Sequence, residues 1–345
     1  MPTSSLLLAA LFASLGGCER PVSVVGGMTF LTEPEPEPDP SELEMTLRAV
    51  SSPYDDDGFG ASVAVSADSV WVGAPHGNVG RVFRQTGTGV DLLLEGEGRI
   101  GSHLAHTPSG LWVGAPLVGS GAGLILGEDG DPIAMGSPGT GIVVSPIAGG
   151  TYGHASGVVS ADGRTVSTSA RPGSVAEANN TLGVGMPRGP VALTAAGNDL
   201  RRATVGDEEG FALAAVDWGA DGVEEWVVGA PGSGAVTVYS HDQFQPLQQW
   251  SGTGRFGAAI AVCDLDRNGT SDLLVGAPLQ GQTGAVLWFP DFADSATPLA
   301  IEWPDSARLV GTAIACVGDR IHVGAPGNAL HRGTLLTVTV SAPVE

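Results

Sequence analysis

The chain has 345 residues and a formal charge of −22 at pH 7, from 37 acids set against 15 cations. That balance excludes a nucleic-acid partner and attraction to an anionic membrane surface. All 15 cations are arginine, which excludes Schiff-base chemistry and a phosphate loop ending in Gly-Lys. Fifty-three glycines, 24 prolines and no sustained 3.6-residue periodicity exclude a helical fold and predict many short strands with tight turns.

In chain order, the first element is the apolar run "LLLAALFASL" at residues 6–15, too short to cross a bilayer as a stable helix and placed where a targeting segment belongs. It leads into "LGGC", ending at Cys18. This resembles the lipobox of bacterial lipoproteins, although "MPTSS" ahead of it lacks the usual positive charge. The resemblance implies a signal peptide over 1–17, acylation of Cys18 and a lipoprotein of the bacterial outer membrane or cell surface. An ordinary secretory signal is the alternative. Next comes "TEPEPEPDPSE" (32–42), where fixed proline φ and repelling acids predict an extended spacer. Residues 18–41 thus read as an acidic, Pro-rich tether and 42–341 as the folded body.

Within the body, Gly-Ala-Pro follows an apolar strand at Gly73, Gly114, Gly229, Gly276 and Gly324. Upstream stand Phe59-Gly60, Ile100-Gly101, Phe256-Gly257 and Val310-Gly311; downstream a glycine opens another strand, as at Gly80, Gly234, Gly284 and Gly333. Each unit reads as a four-stranded blade, and such units bury their faces only by packing radially. The repeat resembles the FG-GAP family, found also in integrin α-subunits, over residues 43–341. The resemblance implies an all-β, seven-bladed β-propeller. Degenerate units around Gly157 and Leu182 fill the interval between Gly114 and Gly229; six blades with one long insertion is the alternative. "ELEMTLRAV" (42–50) is an orphan strand that should complete the last blade and close the ring.

The loop "DLDRNGTSD" at 264–272 follows D-x-D-x-N-G-x-x-D. Hard cations want six to eight close oxygens, and alternating acid and amide residues supply them around a glycine bend. The expected Ca²⁺ ligands are the side chains of Asp264, Asp266, Asn268 and Asp272 and the carbonyl of Thr270. Position twelve is Val275 and not the Glu of an EF-hand, so the pattern instead resembles the calcium hairpins of integrin-type blades. "DWGADGVEE" from Asp217 aligns Asp217, Asp221 and Glu225 with these ligands but has Gly219 in place of one. A weaker second site and a remnant turn are equal readings there.

Cys263 and Cys316 occupy similar places in similar units, which allows either a disulfide or two buried thiols. No H-E-x-x-H, C-x-x-C or G-x-S-x-G occurs, and the propeller leaves no room here for a separate catalytic domain, so no enzyme is expected. His103 and His106 are spaced to point to opposite faces of a strand. Trp71, Trp112 and Trp226, each just before Gly-Ala-Pro, read as packing between blades, whereas Trp218 in the acidic loop reads as exposed.

The expected function is a non-enzymatic surface binding, adhesion or scaffold module, with a lectin-like, carbohydrate-binding propeller as the alternative. By the integrin-like resemblance, a protein or glycan partner meets the face opposite the calcium loops. That face includes His76, Asn78, Arg188, Asn328, His331, Arg332 and the acidic run Asp55–Asp57.

Overall fold

The computed structural model describes residues 24–25, 28–29 and 43–341, with breaks at 56, 77–78, 117–121, 127–129, 136–143, 146–150, 155–156, 161–164, 169–171, 187–190, 196–197, 204–207, 293–296 and 329–331. The chain divides into two compact units, Met1–Glu37 and Pro38–Glu345. In the first, Val24–Val25 pairs antiparallel with Met28–Thr29. Cys18 lies outside the described residues. Among those described, no helix is long and apolar enough to cross a membrane.

In the second unit the described strands form seven four-stranded antiparallel sheets, here blades 1 to 7. Blade 1 is Ser62–Val65, Val70–Ala74, Gly80–Thr86 and Gly89–Gly96. Blade 5 begins with Ala212–Val216 and Glu225–Ala230; blade 6 begins with Ala259–Cys263, Asp272–Ala277 and Ala285–Phe289. The weakly patterned interval yields blades 3 and 4, with Gly157–Ser160 as a third strand and Thr181–Gly185 as a second.

Blade 7 takes Ala313–Val317, Arg320–Ala325 and Thr334–Ser341 from the end of the chain and Glu44–Ser51 from its start, in unbroken register from Glu44↔Ser341 to Ser51↔Thr334. The orphan strand therefore closes the ring, as expected. First strands of successive blades are neighbours all the way round, blade 7 meeting blade 1, and they line a central channel of about 440 Å³.

The repeated glycines are explained by how blades touch. A Cβ at Gly276 would lie 2.1 Å from the Gly311 carbonyl of blade 7, and one at Gly324 would lie 1.8 Å from that of Gly60 in blade 1. The glycine of Gly-Ala-Pro thus presses its backbone onto the Phe-Gly turn of the next blade, where Gly60 and Gly311 have φ of 94° and 87°, conformations that favour glycine. Gly185, where blade 4 has lost its Gly-Ala-Pro, keeps the contact at 2.1 Å from Gly210 O.

Between these contacts lie the apolar cores. Leu274, Val286, Trp288, Ile321, Val323 and Leu336 fill the space between blades 6 and 7. Trp71 and Trp226, at 1% and 0% exposure, pack between neighbouring blades as expected, and Trp112 is buried at 7%. Trp218 is half-buried against the core between blades 5 and 6, not exposed, because its hairpin folds its ring back toward Phe292.

Candidate functional site

The hairpin joining the first two strands of blade 6 holds the predicted acidic loop, and its residues organise their own backbone. Asp264 Oδ2 accepts the Gly269 amide at 3.0 Å, Asp266 Oδ1 the Asn268 amide at 3.2 Å, and Asn268 Oδ1 the Thr270 amide at 2.8 Å. Asp272, fully buried, closes the hairpin: its Oδ2 accepts from Leu265 N at 2.8 Å and its Oδ1 from Asp291 N at 3.1 Å. Arg267 at the tip has φ of 62° and Gly269 of 92°, the left-handed conformations that bend the loop.

Asp291 is the residue that the sequence did not reveal. It follows the third strand of blade 6 and takes Asn268 Nδ2 on its Oδ1 at 2.8 Å, with Thr270 Oγ1 against the same oxygen. Burial raises the Asp266 carboxyl above its usual range, and Asp291 and Asp264 push it further. Burial, with smaller contributions from Asp266 and Asp291, raises Asp272 to about 6 against the pull of its two amides. One buried oxygen, Asp264 Oδ1, has no hydrogen-bond partner among the described residues.

Among the described residues no three His, Cys, Asp or Glu side chains converge as a finished metal centre. The donor set nevertheless fits a hard cation: all oxygen, crowded carboxylates that disfavour one another's charge, and one buried oxygen left over. Asp264, Asp266, Asn268, Thr270 and Asp272 are the residues that would hold it.

The blade 5 hairpin reproduces this frame 47 residues earlier in the sequence. Asp217 Oδ2 accepts Gly222 N at 2.9 Å, as Asp264 does for Gly269, and Glu225 Oε2 accepts Trp218 N at 3.1 Å, as Asp272 does for Leu265. Asp221 turns its Oδ1 to Val223 N at 2.9 Å. Burial raises the Glu225 carboxyl, with Asp221 and Asp217 adding to it. Gly219, in place of Asp266, leaves this hairpin one side-chain ligand short, while Asp221 in place of Asn268 keeps the number of carboxylates the same. A cleft of about 520 Å³ separates the two hairpins, walled by Asp217, Trp218, Thr270, Asp291 and Phe292.

The two cysteines lie beside this site. Cys263, immediately before Asp264, is disulfide-bonded to Cys316 in the first strand of blade 7, with Cα atoms 6.4 Å apart. Arg267 adds an ion pair to Asp319 at 2.9 Å. The hairpin is thereby tied to blade 7 at both its base and its tip.

Antiparallel pairing puts the turns after Gly-Ala-Pro at the opposite end of each blade. There His76 N donates to Asp57 O at 2.9 Å, and Arg332 Nε meets Asp55 Oδ1 at 2.6 Å. Burial and Arg99 lower the His76 pKa, with Asp57 opposing them. Asp57 is itself buried, accepting from Phe59 N at 3.0 Å and Ser52 Oγ at 2.6 Å, so it shapes the turn and is not presented to a partner. Asn328, expected in an open loop, lies in a two-residue strand paired with Ala307. Asp56, Asn78, Arg188 and His331 lie outside the described residues.

Residues 256–287, running from Phe256-Gly257 through the acidic hairpin and Gly-Ala-Pro into the third strand, match the FG-GAP repeat model. The chain carries an FG-GAP repeat. It is similar to integrin alpha-5 of Xenopus laevis, 28% identical over 36% of this chain and 14% of that protein. It is also similar to phosphatidylinositol-glycan-specific phospholipase D of Bos taurus, 34% identical over 22% of this chain and 12% of that protein. The chain thus spans only a small part of the curated relatives it matches.

Among solved structures, the FG-GAP chain resembles the WD40 β-propeller domain of Doa1, with a TM-score of 0.65 and 14% identity, covering 85% of this chain and 96% of that one. Virginiamycin B lyase from Staphylococcus aureus follows at 0.62 and 11%, covering 86% and 99%. At these identities the likeness concerns the fold: this is an all-β propeller. Enzymes and non-enzymes share that architecture, so it does not assign catalysis.

Proposed function

We propose that this chain is a non-enzymatic binding propeller of the cell exterior, stabilised by calcium in the blade 6 hairpin and held to a membrane through a lipid on Cys18. The observation that carries the reading is the FG-GAP blade at 256–287, in a chain similar to integrin alpha-5 of Xenopus laevis. Calcium acts structurally, drawing together carboxylates that otherwise repel and so fixing the hairpin that is bonded to blade 7.

A protein or glycan partner would meet the opposite end, where turns of blades 1 and 7 bring His76 and the Arg332–Asp55 pair together. Calorimetric titration of the purified chain with CaCl₂ tests the metal, and mass spectrometry of the mature N-terminus tests Cys18 acylation. A surface-display binding screen comparing wild type with Arg332→Glu and His76→Ala tests the partner face. A chain that binds no calcium and carries no acyl group on Cys18 would overturn the reading.

A further inference from the structure

A cleft of about 660 Å³ opens between blades 7 and 1, at the hairpin end and away from the proposed partner face. The second, third and fourth strands of blade 7 build one wall in two cross-strand rows. Arg320 is opposite Thr339, which is opposite Thr46; His322 is opposite Thr337, which is opposite Arg48. Successive members of each strand are two residues apart, so all six share one face of the sheet. His322 Nδ1 lies 3.1 Å from Thr337 Oγ1, which orients the ring within this grid. Across the gap, the blade 1 hairpin supplies Ser66, Asp68 and Ser69.

Packing does not require this polarity. The equivalent second strands of blades 5 and 6, "EWVVGA" and "DLLVGA", are buried along their whole length. The corresponding blade 7 strand, "RIHVGA", differs at its first residue, being exposed at Arg320 and buried from Ile321 onward; Ile321 and Val323 enter the core with blade 6, while exposed Arg320 and buried His322 line the cleft.

Charge is also reversed locally. In a chain whose acids outnumber its cations 37 to 15, the cleft gathers Arg48, Arg267 and Arg320 against Asp68 and Asp319. Asp319 is occupied by Arg267 at 2.9 Å and is 3.8 Å from Arg320. Arg48 has no acidic partner among the described residues.

We propose that this cleft binds a carboxylate-bearing saccharide, with Arg48 and Arg320 taking the carboxylate and the Thr46, Thr337 and Thr339 hydroxyls taking sugar hydroxyls. A guanidinium fork matches a carboxylate bidentately, and hydroxyl side chains serve as both donors and acceptors for a polyol. Among the described residues no Phe, Tyr or Trp lines the cleft, so none supplies a stacking platform for a neutral sugar, and recognition depends on charge.

The test is calorimetric titration of the full chain with oligogalacturonate and oligoglucuronate, beside a neutral gluco-oligosaccharide and inorganic sulfate. Saturable binding of a uronate, with the neutral sugar inert and sulfate much weaker, is expected. Arg48→Gln and Arg320→Gln should each weaken it about tenfold or more while leaving the melting temperature unchanged, since both side chains stand at the cleft surface. The proposal is overturned if neither uronate binds, if the neutral sugar binds equally, if sulfate matches the uronates, or if the double variant retains wild-type affinity. Because the calcium hairpin and the partner face are untouched by these variants, the outcome is separate from that of the integrin-like reading.

Discussion

The carboxylate of Asp272 accepts the amide of Asp291, nineteen residues further on, at 3.1 Å while its other oxygen holds Leu265 N at 2.8 Å. One buried side chain therefore closes the acidic hairpin and anchors the turn that brings Asp291 to it.

Asp272→Ala removes both acceptors from a fully buried position. Leaving two buried amides without partners costs about 1–3 kcal/mol each, so the variant should unfold several degrees below wild type by calorimetry. Calcium at about 100 times its Kd should stabilise wild type by about 2.7 kcal/mol and the variant by much less. An equal calcium response in both proteins would remove Asp272 from the site.

Cys263 and Cys316 close a loop of 53 residues between blades 6 and 7. Chain-entropy arguments give such a cross-link about 4 kcal/mol, and measured values commonly fall at 2–4. The double variant Cys263→Ser, Cys316→Ser should lose stability in that range by urea denaturation, and dithiothreitol should have no further effect on it.

His322 is buried, and desolvation with a lesser push from Arg320 lowers its pKa from 6.5 to about 4. Between those values the unfolded chain takes up a proton that the folded chain refuses. Folding stability attributable to this residue is therefore intact above pH 6.5 and falls as the pH drops toward 4, by on the order of 3 kcal/mol in all. Asp272, raised to about 6, acts in the opposite sense. The residue is isolated by difference: stability of His322→Gln, measured from pH 7 to pH 4, should decline less steeply than that of wild type. Parallel curves would refute the assignment.

Two glycines separate a packing requirement from a backbone one. A Cβ at Gly276 would stand 2.1 Å from the Gly311 carbonyl of the neighbouring blade, whereas Gly269, with φ of 92°, has nothing within 4 Å. Gly269→Ala should cost about 1 kcal/mol, the strain of a left-handed alanine. Gly276→Ala must push two blades apart and should cost several-fold more, visible as a much larger drop in melting temperature.

The repeat, the ring-closing strand Glu44–Ser51, the acidic hairpin and its fainter copy at Asp217 were legible in the order of residues alone. Each depends on residues a few positions apart whose spacing is set by strand and turn geometry, and local spacing survives in a linear text. Gly185 shows the limit, because it keeps its contact with Gly210 in a unit where Gly-Ala-Pro has gone. The folded arrangement was needed to see that Cys263 bonds Cys316, that Asp291 joins the hairpin, that Asn328 lies in a strand, and that Arg48 and Arg320 share a grid with His322. Those relationships run across strands and between blades, where partners are fixed by register and by closure of the ring. Residues as far apart as Arg48 and Thr337 become neighbours only once both ends of the chain are paired in one sheet.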